Sequence, residues 1–188
     1  MDRPSRRPAT LEEARALAHP LRLRILRLCL DQALTNKQLA EHLGKDPGTV
    51  LHHVRTLVDT GFLAAGEVRH GERGALEKPY LATGKSWTID VGEAGDPDSA
   101  ARAMLEAFRA ELDEAGPGAT RTWSRVGLTL GERSLEELER RLQEVLDEFA
   151  RRPADPDGEP YGLFLGIHRR ARPGGAQAPG SGGVAPTS

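Results

Sequence analysis

The segment from Leu34 to Val58 constrains this chain most, because it spells out two short helices with little slack between them. Thr35-Asn-Lys-Gln38 has the form of a capping box, in which the threonine hydroxyl takes a backbone N–H of the first turn and the glutamine reaches back to the cap. It predicts a two-turn helix from Asn36 to His42 or Leu43, ended by Gly44. Asp46-Pro47 then supplies an N-cap and a first-position proline for a second helix. Along that helix Val50, Val54, Leu57 and Val58 recur at one-face spacing, and it stops before Gly61.

The flanks complete a recognisable set of parts. Thr10 can cap a helix from Leu11 to Ala18, His19-Pro20 interrupts it, and Leu21 to Leu30 resumes a helix whose Arg22, Arg24 and Arg27 cannot all face inward. After Gly61 the period changes: Phe62-Leu-Ala-Ala and Glu67-Val-Arg-His70 lead to Gly71-Glu-Arg-Gly74, and Leu76 to Ala82 returns as the second arm of a hairpin. Pro79 cannot donate to a ladder, so its strand is expected at an edge. Two short helices joined by Gly44-Lys45-Asp46 and followed by a hairpin are the parts of a winged helix-turn-helix, so the expected fold class is mainly α with small β (α+β). In that arrangement the first helix braces the second, whose exposed face and first turn enter a DNA major groove. With the valines inward, Thr49, His52, Arg55 and Thr56 lie on the opposite or flanking faces. Gly48 admits close backbone approach, and the free N–H groups of Gly48 and Thr49 suit a phosphate oxygen. Arg69, His70 and Arg73 on the hairpin would carry charge to the adjacent minor groove or backbone. The candidate DNA-contacting residues are therefore Lys37, Gln38, Gly48, Thr49, His52, Arg55, Thr56, Arg69 and Arg73.

Three stretches also carry a resemblance: Ala16-Leu-Ala-His-Pro-Leu-Arg-Leu-Arg-Ile-Leu26, Leu34-Thr-Asn-Lys-Gln-Leu-Ala-Glu-His-Leu-Gly44, and Thr49-Val-Leu-His-His-Val-Arg-Thr-Leu57 with Gly61-Phe-Leu63. Over roughly residues 11 to 88 the chain resembles the ArsR/SmtB-type winged-helix transcriptional regulators. The resemblance implies a homodimeric repressor or activator on a pseudo-palindromic double-stranded operator. Metal-sensing members carry Cys-x-Cys before the turn, where this chain aligns Thr35 and Lys37, so a thiolate sensor of that type is excluded. Members often have Ser and Arg where this chain has Leu51 and His52. The last hundred residues exceed the minimal family domain and are similar to the added α/β segment of longer regulators of this group.

Charge is divided along the chain. The net charge of −2 splits into +3 over residues 1–90 and −5 over 91–188, so a nucleic-acid role depends on where charges sit rather than on their sum. Cys29 is the only cysteine, which excludes an intrachain disulfide and a zinc site built on paired thiolates. No apolar run spans a bilayer, and Met1 to Arg7 leads into an amphipathic helix rather than a signal-peptide core. A cytoplasmic protein with no membrane partner and no cofactor is expected.

Gly92-Glu-Ala-Gly-Asp-Pro97 and Gly116-Pro117-Gly118 divide the remainder. From about Ser99, Ala101, Met104, Leu105, Phe108, Leu112 and Ala115 form an apolar stripe suited to dimerisation. Beyond it, alternation at Val126, Leu128 and Leu130 predicts a strand. Leu135, Leu138, Leu142, Val145, Leu146 and Phe149 predict a helix capped by Ser134, and Tyr161, Leu163, Leu165 and Ile167 a second strand. The expected organisation is a mobile tail over 1–10, a DNA-binding domain over 11–90, a linker and dimerisation helix over 91–116, a strand-helix-strand segment over 117–170 and a disordered tail over 171–188. That last folded segment is expected to pack on the dimer core, with a recess beside Phe164, Gly162 and Gly166 as the alternative place for a small-molecule effector.

Simpler roles compete at several positions. Neighbours in a helix point about 100° apart, so His52 and His53 cannot share an ion without distant ligands, and His53 reads as a hydrogen-bonded, partly buried structural residue. Glu67-x-x-His70 turns its side chains to opposite faces of a strand. Cys29 follows Ile25 by four and reads as a small buried hydrophobe. Arg22, Arg24 and Arg27 suit either solvation or phosphate contact, and the charge run Glu136 to Arg141 an exposed face with i,i+4 pairing. No phosphate loop, nucleophile triad or paired-carboxylate motif stands out, so no enzyme is expected. The rival to a DNA-binding regulator is a winged-helix module used for protein contacts alone.

Overall fold

Each early helix of this computed structural model, which describes residues 6–70, 76–92 and 94–171, starts on a side-chain cap. In α1 (Leu11–Leu17) the Thr10 hydroxyl accepts from Glu13 N–H at 3.2 Å while the Glu13 carboxylate accepts from Thr10 N–H at 2.8 Å, a capping box. In α2 (Pro20–Leu28) the His19 ring Nδ1 accepts from Leu21 N–H at 3.2 Å, and the helix ends at Cys29, whose N–H bonds to Ile25 O, rather than running to Leu30. α3 (Asn36–Leu43) has the expected box between Thr35 and Gln38 and ends at Gly44 with φ +58°, a left-handed position that favours glycine. α4 (Pro47–Asp59) begins on Asp46 with Pro47 in its first turn.

These helices enclose one core. Ile25, Cys29, Leu39, Val50, Val54 and Leu57 are all fully buried, and Phe62 and Leu63 join them from the wing. Seven short strands form three small sheets: β1 (Arg7–Pro8) with β7 (Ile89–Asp90), β2 (Leu34–Thr35) and β3 (Leu63–Ala65) on either side of β6 (Pro79–Ala82), and β4 (Arg69–His70) with β5 (Leu76–Glu77). The hairpin expected from the sequence is present, as β3 with β6 and, further out, β4 with β5.

Two expectations change here. The strand with Pro79 is central, not an edge, because β2, which the sequence did not announce, pairs antiparallel on its other side to give the order β2-β6-β3. Pro79 is tolerated as the first residue of that strand: its missing N–H falls at the end of the ladder, while its carbonyl accepts from Gly66 N–H at 2.8 Å. The second concerns the mobile tail expected over 1–10, part of which is placed on the domain. β1 pairs in parallel with β7, Ala9 is buried, and Arg7 makes two hydrogen bonds to the Glu13 carboxylate at 2.6 and 2.8 Å, so residues 6–10 are held by the domain. Residues 1–5 and the expected tail from 172 lie outside the described residues.

After the short helix α5 (Lys85–Thr88), α6 (Pro97–Ala115) starts on the Asp96 cap and packs on α1 and α2. Its buried face is Ala103 and Ala107, roughly a third of a turn away from the apolar stripe, and Leu105 on that stripe is 54% exposed. Small alanines let α6 approach α2 closely, while of the large apolar side chains Met104, Phe108 and Leu112 are half-buried and Leu105 is left on the outside. The C-terminal segment differs more. α7 (Glu132–Ala150) forms, but it starts on Gly131 with no side-chain cap bond, placing Ser134 inside its first turn rather than at the cap. Neither flanking strand is present among the described residues, since neither stretch joins a ladder there and alternation alone does not make one. No helix among the described residues is long and apolar enough to cross a membrane.

Candidate nucleic-acid interface

The two faces of α4 differ sharply. Val50, Val54 and Leu57 seal the inner face, whereas Gly48, Thr49, His52 and Arg55 are exposed on the outer one. Helical periodicity alone divides them this way. Among the described residues Arg55 forms no ion pair, and its guanidinium stands free on that face. Thr56 is half-buried, and its hydroxyl is directed back to the His52 carbonyl at 3.2 Å.

The start of α4 corrects one expectation. The Thr49 N–H is not free: it donates to the Asp46 carboxylate at 3.0 Å, which satisfies one of the unpaired donors of the first turn. An anion arriving there therefore meets Gly48 N–H beside a carboxylate. Gly48 has a further reason to lack a side chain, since a Cβ would lie 2.9 Å from Asp46 Oδ2 and displace the cap.

α3 is tied to this point. Asn36 Nδ2 donates to the Pro47 carbonyl at 2.9 Å, pinning the first turn of α3 to the first turn of α4. Lys37 follows it, exposed, with Glu41 one turn away at 3.9 Å. Gln38 is also exposed, but its Oε1 accepts from Thr35 N–H at 2.9 Å, leaving mainly its NH₂ available outward. Lys37 and Gln38 thus stand exposed on the first turn of α3, which is tied to the first turn of α4, and Gly48, Thr49, His52 and Arg55 stand exposed along α4. Arg69 stands on β4, half-exposed, facing Glu77 across the ladder at 3.8 Å. Arg73 falls in the hairpin tip, outside the described residues.

The N-terminal arginines serve the scaffold. Arg22 closes the C-terminal end of α1, with Nε to Ala16 O and Nη2 to Arg15 O, both at 2.6 Å. Arg24 pairs with Glu114, and Arg27 approaches Glu111 at 3.6 Å, so the exposed side of α2 is engaged by α6.

Behind α4 lie residues that spacing did not fully describe. His53 is buried, as expected, but its Nδ1 has no hydrogen-bond partner, and its ring packs against His19 with centroids 4.4 Å apart. Burial, with the nearby His19 and Arg22, pushes the His53 pKa down to about 4. Glu13 is the other omission. It sits between Arg7 and Lys85, whose Nζ is 2.7 Å away, and these bonds hold its carboxyl well below the usual carboxylate range. Its signal in the sequence was present, since Glu13 is the third helical residue after Thr10. Cys29 is fully buried and its thiol is pushed up to about 11 by desolvation, consistent with a packing role. Among the described residues no three His, Cys, Asp or Glu side chains gather as metal ligands would.

A family model described as a helix-turn-helix domain matches residues 17–64, which run from the end of α1 to β3. No curated protein matches the chain. Among solved structures, the chain is similar to the adhesin competence repressor AdcR from Streptococcus pyogenes, at 17% identity over 69% of this chain and 78% of that one, with a TM-score of 0.32. A ZitR variant from Lactococcus lactis is similar at 17% identity over 69% of this chain and 73% of that one, again with a TM-score of 0.32. Both likenesses are too distant to add to the geometry. The chain carries a helix-turn-helix domain with a β-wing, followed by two long helices.

Proposed function

We propose that the protein is a sequence-specific transcriptional regulator of the ArsR/SmtB type, rather than an enzyme, that binds double-stranded DNA in the cytoplasm as a homodimer. The DNA-binding domain spans residues 11–90 and the linker with the dimerisation helix 91–116. The observation that carries this reading is the division of α4, whose inner face is sealed by valines and leucine while Thr49, His52 and Arg55 stand exposed. A helix so presented, braced by α3 and followed by a wing, has the form that lies in a major groove. In this reading His52, Arg55 and Thr49 read base edges, Thr56 and Gln38 support them from the flanks, and Lys37, Gly48, Arg69 and Arg73 meet phosphates.

The test uses duplex fragments selected from genomic DNA by the full chain. Arg55→Ala should weaken binding to a selected duplex by about 1–3 kcal/mol if the guanidinium reads a base. It should weaken binding equally on all sequences if the contact is to phosphate. An Arg55→Ala, His52→Ala double variant that binds as the parent does would reject this face. Absence of any salt-dependent duplex binding would favour a module for protein contacts instead.

A further inference from the structure

Residues 159–171 contain Tyr161-Gly-Leu-Phe-Leu-Gly-Ile167, seven residues without a charge or a proline. Natural strand edges are usually guarded by charges, prolines or covering elements. Here such guards stand only at the two ends, Glu159-Pro160 before the run and Arg169-Arg170 after it, and none lies within it. Leu163, Leu165 and Ile167 are 64%, 48% and 47% exposed, and among the described residues no backbone–backbone hydrogen bond is made within 159–171 or 120–130. Left so, a run of unpaired backbone groups and alternating leucines is a template for another strand.

We propose that the occupant is a second copy of this chain, with Tyr161–Ile167 pairing antiparallel to the same segment of its mate about a two-fold axis near Phe164. The proposal rests on the homodimeric part of the reading above and adds to it the place where the sheet crosses between copies. Self-pairing fits because the segment is uncharged along its length, so an antiparallel copy sets no like charges opposite one another. It also fits the charges next door: on α7, Arg140 is satisfied by Glu137 and Glu144, and Arg141 by Glu137, so that helix asks for no oppositely charged partner.

Continuity supports the same occupant. Phe164 stacks on Phe108 of α6 with centroids 5.4 Å apart, joining this segment to the outward stripe of α6. Between Leu105 and Ile167, twelve large apolar side chains are at least 39% exposed. With aromatic side chains offering roughly 150–250 Å² each and aliphatic ones less, they supply on the order of 1,000 Å². Two copies of a strand-poor, single-helix segment also give each other the second edge that neither has alone.

The test uses the full chain with Leu165→Asp and, separately, Leu165→Lys. The parent should sediment as a dimer at micromolar concentration, and amides of 161–167 should exchange more slowly as concentration rises. Each variant alone should dissociate at least tenfold more readily, because like charges meet across the axis. Mixing the two variants should restore a dimer containing one of each, a result that misfolding cannot imitate. The proposal is overturned by a parent that is monomeric, by a dimer that neither substitution weakens, by variants that do not recombine on mixing, or by amide protection independent of concentration. Duplex binding is read separately, so a failed DNA reading and a failed interface are distinguishable.

Discussion

His53 shows how a single side chain sets a pH limit on the domain. Its ring is buried against His19 with no partner for Nδ1, so the folded chain holds it neutral, while the unfolded chain protonates it near the ordinary value of about 6.5. A histidine with a depressed folded pKa favours folding fully above the unfolded value, and that contribution is lost as pH falls from 6.5 toward 4. His19 is shifted the same way, chiefly by burial. Thermal melts should therefore lose roughly 1–2 kcal/mol between pH 7 and pH 5, and His53→Phe should flatten the slope. A parent whose midpoint is level across that window would contradict the assignment. Glu13 acts in the same sense over a lower window: its depressed carboxyl favours folding above pH 4.5 and that contribution is lost below it, which leaves most of the histidine window clear. Glu13→Gln should cost about 1–3 kcal/mol in denaturant melts, since it leaves Lys85 and Arg7 facing a neutral group while the exposed side of Arg7 stays in water. A loss under 0.5 kcal/mol would show that the cluster is only decorative.

At the level of elements, the start of α4 combines a stabilising cap with an electrostatic obstacle to DNA. Asp46→Asn keeps a side-chain oxygen for Thr49 N–H and removes the negative charge, so stability should change by less than about 0.5 kcal/mol while duplex binding tightens a few-fold at low salt. Weaker or unchanged binding would place the phosphate path away from this turn. The helices here were legible in the sequence because their determinants are local: Thr35 with Gln38, Gly44, and Asp46 with Pro47 each act within four residues. β2 was not, since two residues become a strand only by meeting Tyr80 and Pro79, forty-odd positions away. The same non-locality misled the reading of Pro79. On α6 the sequence showed one large-residue stripe, yet packing chose the alanine face, because close approach to α2 and the pairing of Arg24 with Glu114 favour small side chains there. The candidate DNA face was legible from periodicity, and so was the capture of Thr49 N–H, since an N-cap at Asp46 takes the N–H three residues on and so leaves none free at Thr49.

At the scale of the whole molecule, α6 ties the DNA-binding half to whatever holds two copies together. Its inner face is fastened to α2 by Ala103, Ala107 and the Arg24 and Arg27 pairs, so a mate bound to its outer stripe would orient both copies of α4 rigidly. Two recognition helices fixed in this way meet half-sites about one DNA turn apart. The salt dependence of binding counts the phosphates neutralised, about 0.9 per contact on a log–log plot. If each protomer neutralises ~4 phosphates, the dimer should show a slope near −7 and a single protomer one near −3.6. Leu105→Asp places a charge in the middle of the exposed stripe, where it touches none of the core residues of the helix-turn-helix domain. It should yield a monomer with unchanged helicity whose slope on a selected duplex is halved and whose affinity falls at least a hundredfold at 150 mM salt. A Leu105→Asp protein that remains dimeric would place the contact between copies off this stripe, and a monomer that keeps the full slope would mean that DNA engagement is complete within one chain.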